Sequence, residues 1–104
     1  MKTFAVINPR SAGGKTGRDA QTIAKRLADV TGPVTVAMTS APMDAARITS
    51  HALRDGYERV IAVGGDGTIN EVVNGFFHNG MAINSEAEFA LLNLGTGGDF
   101  RKTF

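Results

Sequence analysis

The sequence predicts an α/β fold in three layers, with a parallel sheet between two layers of helices. Two observations predict it: four short apolar runs alternate with stretches that have the apolar spacing of helices, and a cluster of glycines follows the first, third and fourth runs. The runs cover residues 4–7, 34–38, 60–63 and 89–94. Because apolar residues face both sides of these runs, we predict strands that are buried on both faces, as parallel strands are.

Three helices are predicted between the strands. The first ends at residues 31–33 (TGP), because glycine and proline commonly stop a helix. The second begins near Pro42, which suits a first helical turn, and ends at Gly56. The third follows the third strand and has the clearest amphipathic pattern. The apolar faces consist of Ala20, Ile23, Ala24 and Leu27 in the first helix, Ala45, Ile48 and Ala52 in the second, and Ile69, Val72, Val73 and Phe76 in the third.

The alternation of strands and helices predicts right-handed crossovers, and we favour the strand order 2-1-3-4. This order places the loops after strands 1, 3 and 4 side by side, at the point where ligands bind in open α/β sheets. An order of 3-2-1-4 would leave the glycine cluster of the third strand at an edge. Residues 78–88 are polar and are expected to form an irregular surface connection. Residues 99–104 (DFRKTF) look like the first turn of a helix that is cut off, so we expect residues 1–104 to be one domain of a longer protein.

Composition excludes several classes of function. The chain has 104 residues, of which 42% are hydrophobic and 20% charged, which is ordinary for one soluble globular domain. Its net charge of +1 gives no basic field, so we expect no nucleic-acid partner. It has no cysteine, which excludes disulfides and thiolate metal sites. The sequence shows no secretory leader and no apolar stretch that approaches about 18 residues, so we expect a cytoplasmic protein.

The glycine clusters indicate phosphate binding. A strand that ends in a glycine-rich turn and leads into a helix exposes backbone N–H groups and the positive end of the helix dipole. The cluster after the third strand, formed by Gly64, Gly65 and Gly67, also contains Asp66 and Thr68. A carboxylate and a hydroxyl in this turn suit a phosphate that arrives with a metal ion, or a phosphoryl group that is transferred.

Two common phosphate motifs do not fit. Residues 9–16 (PRSAGGKT) end like a Walker A loop, but Pro9 stands where the first glycine is required. The dinucleotide-binding pattern fails as well, because its third glycine would fall on Asn70 or on Phe100.

Some motif residues also have a purely structural interpretation. Residues 68–71 (TINE) fit a capping box, in which Thr68 and Glu71 only start a helix. Asn8 and Pro9 could form only a turn, an interpretation that we favour less than a functional one. Asp66 lies between glycines, where it is poorly placed to cap and well placed to reach into a cleft, so we favour a functional role for it.

Residues 64–75 (GGDGTINEVVNG) resemble the signature of the diacylglycerol kinase catalytic domain, the lipid-kinase family that includes sphingosine and ceramide kinases. Residues 8–13 (NPRSAG) resemble the opening Asn-Pro-x-Ser-Gly loop of that family. Thr39 falls at the family's threonine after the second strand. Residues 95–100 (GTGGDF) resemble its Gly-Thr-x-Asn-Asp-Phe turn, with Gly98 in place of the asparagine. The resemblance thus covers nearly the whole chain, in the order of the family.

The resemblance implies a nucleotide-binding domain like the N-terminal domain of the NAD kinase and diacylglycerol kinase fold, which binds ATP with Mg²⁺. It implies that Asp66 is the catalytic residue, and it assigns no metal ligand within this chain. In such kinases a second, β-rich domain supplies the lipid pocket, the acidic metal ligands and a base, and nothing here resembles that domain. The implied nucleotide-binding residues are Asn8, Pro9, Arg10, Ser11, Thr39, Gly65, Asp66, Gly67, Thr68, Ile69, Asn70, Glu71 and Thr96.

The expected function is therefore that of the ATP-binding domain of a lipid kinase, which transfers the γ-phosphate to a diacylglycerol-like hydroxyl and is inactive as the isolated chain. The expected partners are the nucleotide, a lipid bound through the C-terminal domain, and a membrane that the full-length cytoplasmic protein contacts peripherally; a homodimer is left open. Two alternatives are an NAD kinase-like domain, which shares the Gly-Gly-Asp-Gly-Thr loop, and a nucleotide-binding module without catalysis. Residues 72–75 and 95–96 favour the lipid kinases over the NAD kinases.

Overall fold

The structure confirms three layers around a parallel sheet. In the computed structural model, the described residues are 1–93, without the side chain of Ala12, and the backbone of 99–102. The strands are β1 (Thr3–Ile7), β2 (Val34–Met38), β3 (Arg59–Gly64), β4 (Phe77–His78), β5 (Met81–Ala82), β6 (Glu88–Asn93) and β7 (Asp99–Lys102). A 3-10 turn (Ser11–Gly14) precedes the α-helices α1 (Lys15–Arg18), α2 (Ala20–Thr31), α3 (Asp44–Arg54) and α4 (Asp66–Gly75).

The main sheet has the strand order β2-β1-β3-β6-β7. β1 pairs in parallel with β2 and with β3, and β3 pairs in parallel with β6. Since β6 is the fourth predicted strand, the predicted order 2-1-3-4 is confirmed. The carboxyl ends of these four strands lie along one edge of the sheet, which brings the loops after β1, β2 and β3 next to one another.

The two faces of the sheet bury different helices. On one face, side chains of β1, β3 and β6 pack against α3 and α4, and the rings of Phe76 and Phe89 meet edge to face with their centres 5.8 Å apart. On the other face, the alternate residues of the same strands pack against Leu27 of α2. This division follows from the alternation of side chains along each strand. Among the described residues, no helix is long and apolar enough to cross a membrane.

The predicted helix ends are confirmed. α2 ends at Thr31 and is followed by Gly32 with φ of +81°. α3 ends at Arg54, and Gly56 follows with φ of +92°. Both glycines have a positive φ, which residues with a side chain adopt only at a cost.

The second predicted helix begins later than Pro42 suggests. α3 starts at Asp44, and Pro42 lies in the turn before it. Met43, between them, has φ of +72°. Proline therefore precedes the first turn of this helix, and the first helical residue is acidic.

Two segments differ from the prediction. Residues 78–88 were expected to be an irregular connection, but β4 and β5 pair there as an antiparallel hairpin that turns at Asn79 and Gly80, whose φ values are +52° and +77°. An Asn-Gly pair favours this two-residue turn. Residues 99–104 were expected to start a helix, but residues 99–102 form β7, antiparallel to β6. The unpaired edge of β6 offers backbone hydrogen bonds to the returning chain, and this pairing outweighs the local helical pattern.

Candidate functional site

A cavity of about 240 Å³ opens at the carboxyl edge of the sheet, where the loops after β1 and β2 meet the start of α4. Five of its lining residues are predicted site residues: Asn8, Arg10, Thr39, Thr68 and Glu71. The prediction missed the four other lining residues, which follow Thr39 or lie in the first turns of α3: Ser40, Ala41, Pro42 and Ala45. One indication of these four residues is present in the sequence, which is that they follow Thr39 closely along the chain. The whole loop after a strand at this edge of the sheet can contribute to a binding site.

Asn8 ties the first loop to α4. Its side-chain Nδ2 donates a hydrogen bond to Thr68 Oγ1 at 3.1 Å, and its Oδ1 accepts one from the Arg10 backbone N–H at 2.9 Å. Its own backbone N–H donates to the carbonyl oxygen of Val63 at 3.0 Å. Both ends of the Asn8 amide are therefore used within the protein, so Asn8 shapes the site by joining two loops that are 60 residues apart in the chain.

Pro9 and Ser11 stabilise the same loop through contacts with residues 16 and 17. The Ser11 hydroxyl lies 2.7 Å from the Asn8 carbonyl oxygen and 2.7 Å from the hydroxyl of the buried Thr16. The Gly17 N–H donates to the Pro9 carbonyl oxygen at 2.9 Å, and a side chain at Gly17 would touch Pro9. These two predicted binding residues thus contact the protein itself, and neither lines the cavity.

The start of α4 differs from the predicted capping box. The helix begins at Asp66 with Gly65 as its N-cap, so Thr68 lies inside the first turn and no side chain caps the helix. The first hydrogen bond of the helix runs from the Ile69 N–H to the Gly65 carbonyl oxygen at 3.1 Å. Thr68 is drawn inward because it bonds to Asn8 and lies against Gly64, where an added Cβ would come within 2.7 Å of its hydroxyl.

The start of α4 has free backbone donors, because no side chain caps it. The N–H groups of Asp66, Gly67 and Thr68 precede the first intrahelical bond, so the helix itself leaves them unpaired. They stand at the positive end of the helix dipole. An added Cβ at Gly65 or at Gly67 would meet no atom of the described residues within 4 Å, and neither residue has a positive φ. Both glycines therefore border open space as far as the described residues are concerned.

Asp66 faces the end of β6. Its Oδ1 accepts a hydrogen bond from Asn93 Nδ2 at 2.9 Å, and the Asp66 residue is exposed. The role of Asn93 was not predicted, since nothing in the sequence relates it to a residue 27 positions earlier. Within residues 1–93, no group of three or more acidic, histidine or cysteine side chains could hold a metal ion. The predicted Thr96 lies outside the described residues, and Ile69 and Asn70 belong to α4 but do not line the cavity.

Comparison with known proteins decides the family. The family model described as the diacylglycerol kinase catalytic domain matches residues 2–104. The chain belongs to this family. The predicted resemblance is confirmed, and the open glycine turn, the Asn8 loop and Thr39 are therefore features of a diacylglycerol kinase catalytic domain.

Curated relatives of this family member carry lipid-kinase names. The chain is 39% identical over 98 residues to a protein of Cronobacter sakazakii named "Probable lipid kinase YegS-like". The aligned segment covers 94% of this chain and 31% of the relative. It is 36% identical over 101 residues to a protein of the same name from Pseudomonas aeruginosa, again over 31% of the relative and 97% of this chain. The chain thus spans about a third of the length of these relatives.

A solved structure shares the fold. The crystal structure titled a diacylglycerol kinase from Bacillus anthracis str. Sterne matches with a TM-score of 0.71 and 24% identity, over 94% of this chain and 34% of the other. At this identity the likeness shows the fold alone. It agrees with the strand order and with the helices on both faces of the sheet.

Proposed function

We propose that this chain is the ATP-binding domain of a lipid kinase, which uses ATP as the phosphoryl donor and a lipid hydroxyl as the acceptor. The observation that carries the proposal is the start of α4, where the first three N–H groups have no partner within the described residues and Gly65 and Gly67 border open space among those residues. Neither a positive φ nor an atom of a described residue requires glycine at these positions. A bound phosphate that approaches the backbone closely would explain why both positions are glycine.

The neighbouring cavity can hold the ribose and the base of the nucleotide. With the phosphates at the start of α4, the remainder of ATP extends between the loop after β1 and the loop after β2. Arg10 is exposed at the cavity and carries a guanidinium, which suits phosphate oxygens. Thr39 and Glu71 also line the cavity, with a hydroxyl and a carboxylate, which suit hydroxyl and amino groups of a nucleoside.

Asp66 fits a role at the reacting phosphate. One of its oxygens is held by Asn93, and the other has no hydrogen-bond partner among the described residues. Mg²⁺ in such sites takes one or two carboxylates and completes its shell with phosphate oxygens and water, so the single carboxylate of Asp66 would be enough to contribute to its binding. Asp66 would hold the ion or orient the acceptor hydroxyl, and the ion supplies neutralisation of phosphate charge.

The lipid side of the reaction lies outside residues 1–104 in this proposal. Transfer breaks the bond between the γ-phosphorus and the oxygen that it shares with the β-phosphate, forms a bond to the lipid oxygen, and passes the hydroxyl proton to a base. The curated relatives are about three times as long as this chain and carry lipid-kinase names. We place the lipid pocket, the base and a peripheral membrane contact in such additional sequence of a cytoplasmic protein, with a diacylglycerol-like acceptor, and expect residues 1–104 alone to transfer no phosphate to lipid.

Backbone amide NMR of the chain during addition of MgATP tests the nucleotide site. We expect the amide signals of residues 8–14 and 64–70 to shift together, since both segments lie at the same edge of the sheet. The signals of residues 95–98, which lie outside the described residues, should shift with them if the sequence prediction for Thr96 is correct. The signals of residues 31–34 stay unchanged, because that turn lies at the opposite end of the sheet. Shifts confined to one loop, or no saturable shifts at all, would show that the nucleotide does not bind as proposed.

Phosphorylation assays separate the proposed activity from its alternatives. The longest natural chain that contains these residues is incubated with MgATP and either diacylglycerol vesicles or NAD. We expect a phosphorylated lipid and no phosphorylated NAD. Phosphorylation of NAD would replace the proposal by an NAD kinase, and nucleotide binding without either product would indicate a module without catalysis.

A further inference from the structure

The loop between β2 and α3 forms one wall of the nucleotide cavity. Four cavity residues belong to this loop: Thr39, Ser40, Ala41 and Pro42. At its first residue the loop is anchored to the sheet, because the Thr39 N–H donates to the Ile7 carbonyl oxygen at 2.9 Å and so extends the pairing of β1 with β2. The exposed Ser40 and the residues after it have no such support from the sheet.

The side chain of Asp44 closes this loop. Asp44 Oδ2 accepts two hydrogen bonds, one from the Ser40 backbone N–H and one from the Ser40 hydroxyl, both at 2.8 Å. The Asp44 N–H in turn donates to the Ala41 carbonyl oxygen at 3.2 Å. The residues from 40 to 44 therefore form a ring that is closed at both ends, and the Asp44 side chain within it is only 15% exposed.

The charge of Asp44 strengthens these bonds. The Ser40 backbone N–H and hydroxyl, and after them the Arg47 guanidinium, lower the pKa of Asp44 from its ordinary 3.8 to about 2. The carboxylate is thus ionised at neutral pH, and hydrogen bonds to an ionised acceptor are stronger than neutral ones. The ion pair with Arg47, at 3.3 Å, contributes less, because the Arg47 side chain is 61% exposed.

Met43 shows that the closed loop is held against a local preference. Its φ of +72° lies in the left-handed region, which a residue with a side chain adopts at a cost. The Met43 side chain is exposed and does not secure this conformation by burial. The two Ser40 bonds to Asp44 and the Asp44 N–H bond to Ala41 are contacts that span Met43 and hold the loop in this shape.

We propose that Asp44 is a positioning residue for nucleotide binding: it fixes the part of the β2–α3 loop after Thr39, so that Ser40, Ala41 and Pro42 form the wall of the cavity. This inference rests on the proposed function, because it assumes that the cavity takes ATP. The simpler role for Asp44 is to start α3 by its negative charge, which favours any acidic residue at a helix N-terminus. The two roles differ in whether the position of the carboxylate matters or only its charge.

Four variants separate the two roles. Asp44→Ala removes both the bonds and the charge. Asp44→Glu keeps the charge at the helix start but displaces the carboxylate by one methylene group. Asp44→Asn keeps an acceptor oxygen in place and loses the charge. Asp29→Ala is the matched control, because Asp29 is exposed on α2, on the other face of the sheet.

The dissociation constant of MgATP is measured by calorimetry, at a temperature where circular dichroism shows each variant folded. We expect Asp44→Ala and Asp44→Glu to raise it by at least about tenfold, the scale on which misplaced binding groups act. Asp44→Asn and Asp29→Ala should stay within about threefold of the wild type. In a chain that turns over lipid, Asp44→Ala should raise the KM for ATP and leave kcat within about twofold.

The outcomes bear on different claims. A wild-type chain that binds no MgATP contradicts the proposed function. A wild-type chain that binds, together with Asp44→Glu at wild-type affinity, overturns the positioning role and leaves only a charge at the helix start. Should Asp44→Ala not fold, Asp44→Glu and Asp44→Asn still decide the question, because both retain a polar group at the start of α3.

Discussion

Two glycines of α4 provide matched substitutions with opposite expected effects. Gly67→Ala and Gly75→Ala each add one methyl group to the same helix. At Gly75 the added Cβ would lie 2.5 Å from the Ala46 carbonyl oxygen and 2.7 Å from the Cβ of the buried Thr49. Because the nearer atom belongs to the backbone of α3, the two helices must separate to accept the methyl group.

The size of the effect at Gly75 follows from this clash. Forcing an extra methyl group into a packed core costs about 1–3 kcal/mol, and alanine returns less than about 1 kcal/mol through its helix propensity at a helix end. We expect a net loss of about 1–2 kcal/mol in the free energy of unfolding. For a domain of this size that loss lowers the melting temperature by roughly 4–16 °C.

At Gly67 the same methyl group enters open space. No atom of the described residues lies within 4 Å of the added Cβ, so the stability should stay equal or rise by up to about 1 kcal/mol. If phosphate binds close to the backbone of this first helical turn, as proposed, the methyl group would hinder its approach, and we expect the dissociation constant of MgATP to rise by at least about tenfold, or about 1.4 kcal/mol.

Thermal unfolding followed by circular dichroism measures the stabilities, and calorimetric titration measures the affinities. Gly75→Ala should melt earlier and, once folded, bind MgATP within about threefold of the wild type. Normal nucleotide affinity in Gly67→Ala would refute the placement of phosphate at this turn. A Gly75→Ala chain as stable as the wild type would refute the close packing of α3 on α4.

Three further results are expected. Asp66→Asn should change the free energy of unfolding by less than about 1 kcal/mol, because Asp66 is exposed. The kcat of the lipid-phosphorylating chain should fall at least about 10²-fold, and a near-normal kcat would show that Asp66 only shapes the turn. Met43→Gly should stabilise the chain by roughly 1 kcal/mol in urea unfolding, because glycine adopts φ of +72° without the steric cost, and a loss of stability would contradict this. The folded pKa of Asp44, about 2, lies below its ordinary 3.8, so the stabilisation from its carboxylate is present above about pH 4 and is lost as the pH falls towards 2. In acid unfolding, the free energy of unfolding should therefore fall more steeply with decreasing pH in the wild type than in Asp44→Asn. Equal curves would argue against the Ser40 contact.

Much of the fold follows from local sequence patterns. The strands, the strand order and the glycines that end α2 and α3 are where periodicity and turn chemistry place them. β7 could not be predicted, because its pairing depends on the free edge of β6 and not on its own residues. The hairpin of β4 and β5 had a local signal, the Asn79 and Gly80 pair, which short flanking strands made weak.

The candidate site was predictable as a set of loops and not as a set of contacts. Asn8 and Thr68 were predicted to bind the nucleotide, which stays a prediction, and both line the cavity. The hydrogen bond between their side chains was not predicted. The partner of Asp66, Asn93, comes from a distant strand, and only the register of β6 beside β3 brings it close. Long-range pairings of this kind are set by the assembled sheet and leave no pattern within a short stretch of sequence.

The hydrogen bond between Asn8 and Thr68 links binding to the integrity of the whole sheet. The loop after β1 and the start of α4 meet only when β1 and β3 are paired, and the loop after β2 joins them only when β2 is paired as well. A nucleotide that contacts all three loops binds the folded chain and not the unfolded one. At a concentration one hundred times its dissociation constant, such a ligand adds about 2.7 kcal/mol to the free energy of unfolding. The melting temperature of the chain, and its resistance to proteases, should thus report how much nucleotide is bound.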